Sequence, residues 1–325
     1  MRQITYGQAI NEALRQMVEK DSRVFLIGLG TNSSWYVGAT TQGLVEKFGK
    51  RRVIDTPVSE NGFTGVAVGA ALAGMRPVVV HPRMDFMYLA LDQIANQAAN
   101  WHYMFGGKIC VPLVVRGIIN RGGEQAAQHS QALQAIFAHI PGLKVVMPAT
   151  PYDAKGLLIA AIEDDNPVVY IDDRWLYDLK ENVPEKIYRT PIGKAVIRKA
   201  GKDITVVATS YMVSEALKAA DELEKIDISV EVLDLRSLKP IDTETIFSSV
   251  KKTGRLMVAD AAWKSYGATA EISALVCENI FSYLKAPIAR VALPDTPAPA
   301  ACNLEKIYYP DYKNIIETVK SVCNF

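Results

Sequence analysis

Cysteine is scarce. The four present, Cys110, Cys277, Cys302 and Cys323, stand far apart and form no CxxC pair, which excludes a zinc ribbon or a redox dithiol and suits a reducing compartment. Charge of one sign is lacking too: 36 basic residues stand against 35 acidic ones, and no stretch gathers like charges into a run. The electrostatic footprint of a nucleic-acid binder is therefore missing. No apolar run reaches membrane-spanning length, and the richest, from Gly62 to Val80, is broken by glycines, an arginine and a proline. It reads as a buried helix followed by a strand. The opening MRQITYGQAI passes directly into an amphipathic pattern, without a charged, then apolar, then small-residue leader, so the expectation is a cytoplasmic protein with no membrane partner. Walker and GxGxxG phosphate loops, internal repeats and low-complexity segments are absent as well.

What is present is alternation. Apolar runs of strand length alternate with helix-period segments, the pattern of parallel sheets covered by helices on both faces. Strands are expected at VFLIG (24–28), RPVVVH (76–81), VPLVVRG (111–117), KVVMP (144–148) and PVVYI (167–171). Helices are expected from Tyr6 to Glu19, with Ile10, Leu14 and Met17 on one face, from Leu89 to Tyr103, and after Asp153. From Leu179 to Pro191 the text turns polar, LKENVPEKIYRTP, with neither period, and reads as a linker. Alternation then resumes: strands at 204–210, 228–237, 255–261 and 289–293, with helices near 213–224, after Asp242 and near 267–280. At 325 residues the chain accommodates two domains. The expected fold is α/β with two doubly wound domains, 1–180 and a smaller 181–325.

The most informative segment is IDTPVSENGFTGVAVGAALAGMRP, from Ile54 to Pro77. It sets Glu60 at a strand-to-helix turn, with Val58 and Phe63 as apolar neighbours, and follows it with Gly62, Gly65, Gly69 and Gly74. On spacing alone, Glu60 is either a first-turn acid that suits the helix dipole or a carboxyl placed for a ligand.

The segment resembles the β chain of the decarboxylating, thiamine-diphosphate-dependent component of 2-oxo acid dehydrogenases, pyruvate dehydrogenase β-like, in the transketolase-like superfamily. Matching stretches run in family order over nearly the whole length: DFMYLALDQIANQAANWHYMFGG (85–107), AAQHSQ (126–131), PGLKVVMPATPYDAKGLLIAAIEDDNPVV (141–169), TPIGKA (190–195), ITVVATS and LPDTPAPAA (293–301). The resemblance implies a thiamine-diphosphate pyrimidine-binding domain followed by a transketolase C-terminal-like domain for assembly. It implies that Glu60 hydrogen-bonds the ring nitrogen of the aminopyrimidine, where a shared proton favours the imino tautomer that deprotonates the thiazolium. Phe86 stands where the family places an aromatic ring against the pyrimidine, core packing being its other reading. His129 stands where the family carries a histidine facing substrate or lipoyl group, with capping or core as its alternative. His81, His102 and His139 are assigned to structure.

The resemblance further implies a potassium ion held by the carbonyls of Leu113, Ala161, Ile162, Asp164 and Asn166. Related enzymes bind magnesium and the diphosphate through a GDG and a later paired asparagine. This chain has no such pattern, so Mg2+ and the diphosphate anchor are expected on an α-type partner in an α2β2 heterotetramer, with a β homodimer contact and a lipoyl acyltransferase core as further partners. Leu29 and Leu89 stand where the family commonly has polar residues, although Asp92 and Gln93 remain; this puts polar communication between paired sites in doubt. The loop RGGEQAAQHSQ also departs from relatives that carry an aromatic residue and more glycines. Two other readings stand beside the dehydrogenase. One is half of a split transketolase or a stand-alone thiamine-diphosphate carboligase or decarboxylase, for which Arg83, Arg116 and Arg121 are available, though they read chiefly as solvated loop charges. The other is a non-catalytic assembly subunit.

Overall fold

The computed structural model describes residues 2–33 and 35–324. The chain divides into two compact units, one of residues 1–121 and 129–192, the other of 122–128 and 193–325.

In the first unit six parallel strands lie in the order Lys144–Val146, Val168–Asp173, Val114–Ile119, Arg76–His81, Val24–Gly28, Val53–Asp55. Their valine- and isoleucine-rich runs are buried on both faces, and Val24–Gly28, Val114–Ile119 and Val168–Asp173 are buried at every residue. Continuous apolar text, instead of alternation, is what a doubly covered parallel sheet requires. Tyr6–Lys20 and Pro151–Glu163 pack against each other. Each starts at a threonine that satisfies free N–H groups: Thr5 forms a capping box with Gln8, and Thr150 accepts from Asp153 with Pro151 at the first helical position.

Two expectations change here. The strand expected at 111–117 runs from Val114 to Ile119. The helix expected over 89–103 is a 3-10 helix from Met84 to Ala90, a π-helix from Asp92 to Ala98 and a short α-helix from Trp101 to Met104; its first two parts pack on the Glu60–Leu72 helix. The segment read as linker packs with the first unit by its contacts, which run to residue 192. Lys180–Asn182 pairs antiparallel with Gln3–Thr5, a partner so distant that no local period announces it. Beyond it, the buried Lys155 ammonium reaches Glu12 Oε1 at 2.6 Å and the carbonyls of Pro184, Glu185 and Lys186 at 2.7, 2.9 and 3.1 Å.

The second unit carries strands in the order Ala289–Leu293, Leu256–Trp263, Ile204–Ala208, Val230–Asp234, Val196–Lys199, all parallel except the last, which is an antiparallel edge. Its helices are Tyr211–Glu224, Thr243–Thr253 capped by Asp242, Ala268–Ile280, Cys302–Tyr308 and Tyr312–Cys323. The edge strand and the last two helices were not expected from the sequence. Tyr312–Cys323 packs on Tyr211–Glu224, where Glu215 Oε2 accepts the Tyr312 N–H at 2.9 Å. Residues 122–128 group with this unit, in which the Glu124 N–H reaches both carboxylate oxygens of Glu305 at 3.1 Å.

Candidate active site

In the first unit the helix Glu60–Leu72 packs against the strand Arg76–His81 and against the Met84–Ala90 segment. Glu60 is its first residue, and no side chain caps that end. The residue is only 6% exposed, yet its carboxylate oxygens still reach solvent, and they have no hydrogen-bond or ion-pair partner among the described residues. A first-turn acid suits the dipole; here the residue is enclosed while its unpartnered oxygens face outward, free to accept a hydrogen bond. Of its apolar neighbours, Phe63 is buried, whereas Val58 is 73% exposed, so the apolar wall comes from Phe63.

One helical turn further, Thr64 Oγ1 lies 3.3 Å from His81 Nε2, and the Phe63 ring lies 5.1 Å from the His81 ring. His81 is fully buried, and desolvation pushes it down to about 3. It is a neutral imidazole in the wall beside Phe63, consistent with the structural role expected of it. His102 Nδ1 lies 2.8 Å from the Ile109 carbonyl, and His139 ends a short helix, Gln134–His139.

Phe86 is positioned by close approach of its segment to the sheet. A Cβ on Gly117, in the strand Val114–Ile119, would stand 2.5 Å from Met87 Sδ and 3.0 Å from Met84 Cβ. A side chain there would displace the Met87 thioether and press on Met84 Cβ. The half-buried Phe86 meets His129 edge to face, ring centroids 5.3 Å apart. The sequence offered these two residues separately, and the fold brings them together. The next residues of the His129 loop are docked on the same segment: Gln131 N–H donates to Asp85 Oδ1 at 3.0 Å and Leu133 N–H to Met84 Sδ at 3.3 Å. Asp85 went unnoticed in the sequence, since a lone aspartate before an aromatic residue carries no motif.

The arginines require a correction. Arg116 is fully buried, bidentate to Asp172 at 2.9 and 2.7 Å, and bound to Thr40 Oγ1 and the Tyr177 hydroxyl at 2.8 and 3.1 Å. Arg121 is buried against Asp173 at 2.6 Å and lies over the Trp175 ring. Neither is a solvated loop charge: both sit on or just beyond a central strand, and their carboxylate partners come from the adjacent strand Val168–Asp173. Arg83 is half-buried near the Tyr36 ring, and desolvation lowers its pKa.

The five carbonyls expected around potassium are engaged by protein donors at four positions. Arg76 Nη1 donates to Ile162 O and Asp164 O at 3.1 and 3.0 Å, Val168 N–H to Leu113 O at 2.9 Å, and Asp164 N–H to Ala161 O at 3.3 Å. Each such oxygen keeps one lone pair, and the positive charge beside Ile162 and Asp164 is a guanidinium. Among the described residues no three His, Cys, Asp or Glu side chains gather as a metal site.

Residues 2–179 match the family described as transketolase, pyrimidine binding domain, and residues 193–315 match transketolase, C-terminal domain. The chain is 46% identical over 325 residues, 99% of each chain, to the pyruvate dehydrogenase E1 component subunit beta of Rickettsia conorii. It is 44% identical over 327 residues, 97% of this chain and 96% of the other, to the acetoin:2,6-dichlorophenolindophenol oxidoreductase subunit beta of Bacillus subtilis. In fold it is similar to a solved chain described as a split gene transketolase, inactive beta4 tetramer, with a TM-score of 0.81 at 22% identity, covering 99% of this chain and 98% of that one.

Proposed function

Because the chain belongs to the transketolase-like family of paired pyrimidine-binding and C-terminal domains that includes pyruvate dehydrogenase E1 β subunits, we propose that it is the β subunit of a thiamine-diphosphate-dependent 2-oxo acid dehydrogenase, an oxidoreductase active only with an α partner. The observation that carries this reading is Glu60, an enclosed residue at the uncapped start of its helix whose carboxylate reaches outward and meets no protein partner among the described residues. An aminopyrimidine ring nitrogen is a group such a carboxyl can receive.

Bound thiamine diphosphate would supply a nucleophilic carbon and then the electron sink through which carbon dioxide leaves. Within this chain, Glu60 holds the proton shared with the ring nitrogen. Phe86 offers an apolar face for stacking, and Phe63 keeps water from the carboxyl. His129, edge-on to Phe86, donates to the substrate carboxylate or to the arriving lipoyl group. The residues fit the pyrimidine half of the cofactor. The diphosphate and Mg2+ are assigned to the α chain, because this sequence carries no phosphate loop. Potassium, if bound, uses the lone pairs left on Leu113, Ala161, Ile162, Asp164 and Asn166; a higher Tm in potassium than in sodium at equal ionic strength is the check on it.

An α2β2 assembly with a β–β contact is supported by apolar surface on each unit. Val66 on the Glu60 helix is 61% exposed and Tyr103 is 88% exposed, and in the second unit Phe281 and Ile307 are 69% and 82% exposed. Residues this apolar gain from being covered. A lipoyl acyltransferase is the proposed acceptor, and the cytoplasm the proposed compartment.

The test is co-expression with the α-type chain, then titration of the pair with thiamine diphosphate, Mg2+ and a panel of 2-oxo acids and acetoin, using an artificial electron acceptor. Glu60→Gln is expected to assemble normally and lose about 10²- to 10⁴-fold in turnover. A pair that binds cofactor but decarboxylates no 2-oxo acid transfers this assignment to acetoin cleavage or ketol transfer. An assembled pair that binds no cofactor leaves only the assembly role.

A further inference from the structure

Residues 130–133, which follow His129, belong to neither helix nor strand, so their backbone N–H groups must find partners elsewhere. Two of them find side chains of the Phe86 segment: Gln131 N–H meets Asp85 Oδ1 at 3.0 Å and Leu133 N–H meets Met84 Sδ at 3.3 Å. A thioether is a weak acceptor and a carboxylate a strong one, so Asp85 supplies most of the hold. That carboxylate is 4% exposed, and its second oxygen is buried without a hydrogen-bond partner. Its hydrogen bonds come from Gln131, backbone and side chain, and from its own backbone, so it holds Gln131 and little else. Its location is more telling: it precedes Phe86, and the N–H it holds is two residues beyond His129, whose ring rests against Phe86.

We propose that Asp85 is the positioning residue of His129, pinning the turn at Gln131 so that the imidazole stays edge-on to the ring that faces the cofactor. The proposal rests on the function given above for His129 and Phe86. Electrostatics agree with the geometry. Burial pushes the Asp85 carboxyl up, and hydrogen bonds from the Gln131 backbone, its own backbone and the Gln131 side chain pull it back toward the ionised form.

The experiment compares Asp85→Leu, which removes the acceptor, with Asp85→Asn, which keeps one, in the assembled α and β pair. Two readouts are taken: backbone hydrogen exchange over residues 129–133, and kcat and KM with the best 2-oxo acid. Asp85→Leu is expected to speed exchange at Gln131 about tenfold or more and to lower kcat about 10- to 100-fold, with thiamine diphosphate affinity kept, since a displaced catalytic group costs that much. Asp85→Asn restores both readouts. In a His129→Ala background Asp85→Leu costs nothing further, because the two residues act as a unit. Unchanged exchange in Asp85→Leu overturns the proposal, and so do losses that add independently to those of His129→Ala. If the wild-type pair turns over no substrate, the functional reading has failed, and the exchange measurement still decides whether Asp85 holds the turn.

Discussion

A neutral histidine in the wall beside Phe63 ties stability to pH. His81 is held down to about 3 by desolvation, against an ordinary value of 6.5. The unfolded chain therefore takes up a proton near 6.5 that the folded chain refuses until about 3. Stability is at its full value above this window and falls as pH drops through it, by about 2 kcal/mol at about pH 5. Thermal melts from pH 7.5 to 5 are expected to show that slope, and His81→Leu to flatten it. At Phe86 the expected effect lies in affinity: Phe86→Ala in the assembled pair weakens thiamine diphosphate about fivefold, the worth of one aromatic contact, as a calorimetric titration would read. Both differ from Glu60→Gln, whose loss falls on turnover.

Two elements depend on single buried cations. Lys155, on the helix Pro151–Glu163, holds three successive carbonyls of the 184–186 segment together with Glu12. Lys155→Met would leave those carbonyls and Glu12 Oε1 without their donor while Glu12 keeps its ion pair with Arg2, at about 1 to 3 kcal/mol. Faster hydrogen exchange over 183–190, with the central strands still protected, is the expected signature. Arg116 links the strand Val114–Ile119 to Val168–Asp173 through Asp172, with Thr40 and Tyr177 as further partners. Asp172→Asn removes one side of a fully buried pair, and its cost of about 3 to 5 kcal/mol is expected to appear as a lower denaturant midpoint. Neither change touches Glu60, Phe86 or His129, so residual folded protein should retain its cofactor affinity.

At the scale of the whole molecule, the proposed β-subunit role makes this chain one half of a site. Alone it is expected to bind thiamine diphosphate at least 100-fold more weakly than the pair, because binding energy from the diphosphate end is missing. Val66, exposed on the same helix that Glu60 begins, is the natural place to separate assembly from folding. Val66→Arg should leave the melting of the isolated chain within about 1 °C and reduce the assembled fraction, as sedimentation would show.

The sequence by itself determined the fold class, most of the parallel strands and the order of elements, because doubly covered strands are written as continuous apolar runs and capped helices announce their ends. Resemblance to the family, more than any motif, pointed to Glu60, Phe86 and His129, on the strand-to-helix turn, the Met84–Ala90 segment and the loop after Arg121. Only the tertiary structure decided what those residues meet. Asp85 at Gln131, Gly117 under Met87, Arg116 on Asp172 and the pairing of Gln3–Thr5 with Lys180–Asn182 all join positions far apart in the chain. Periodicity reports the face a residue turns toward the core, a local property; which buried partner waits there depends on distant chain, and that is where the sequence reading of Arg116 and Arg121 failed.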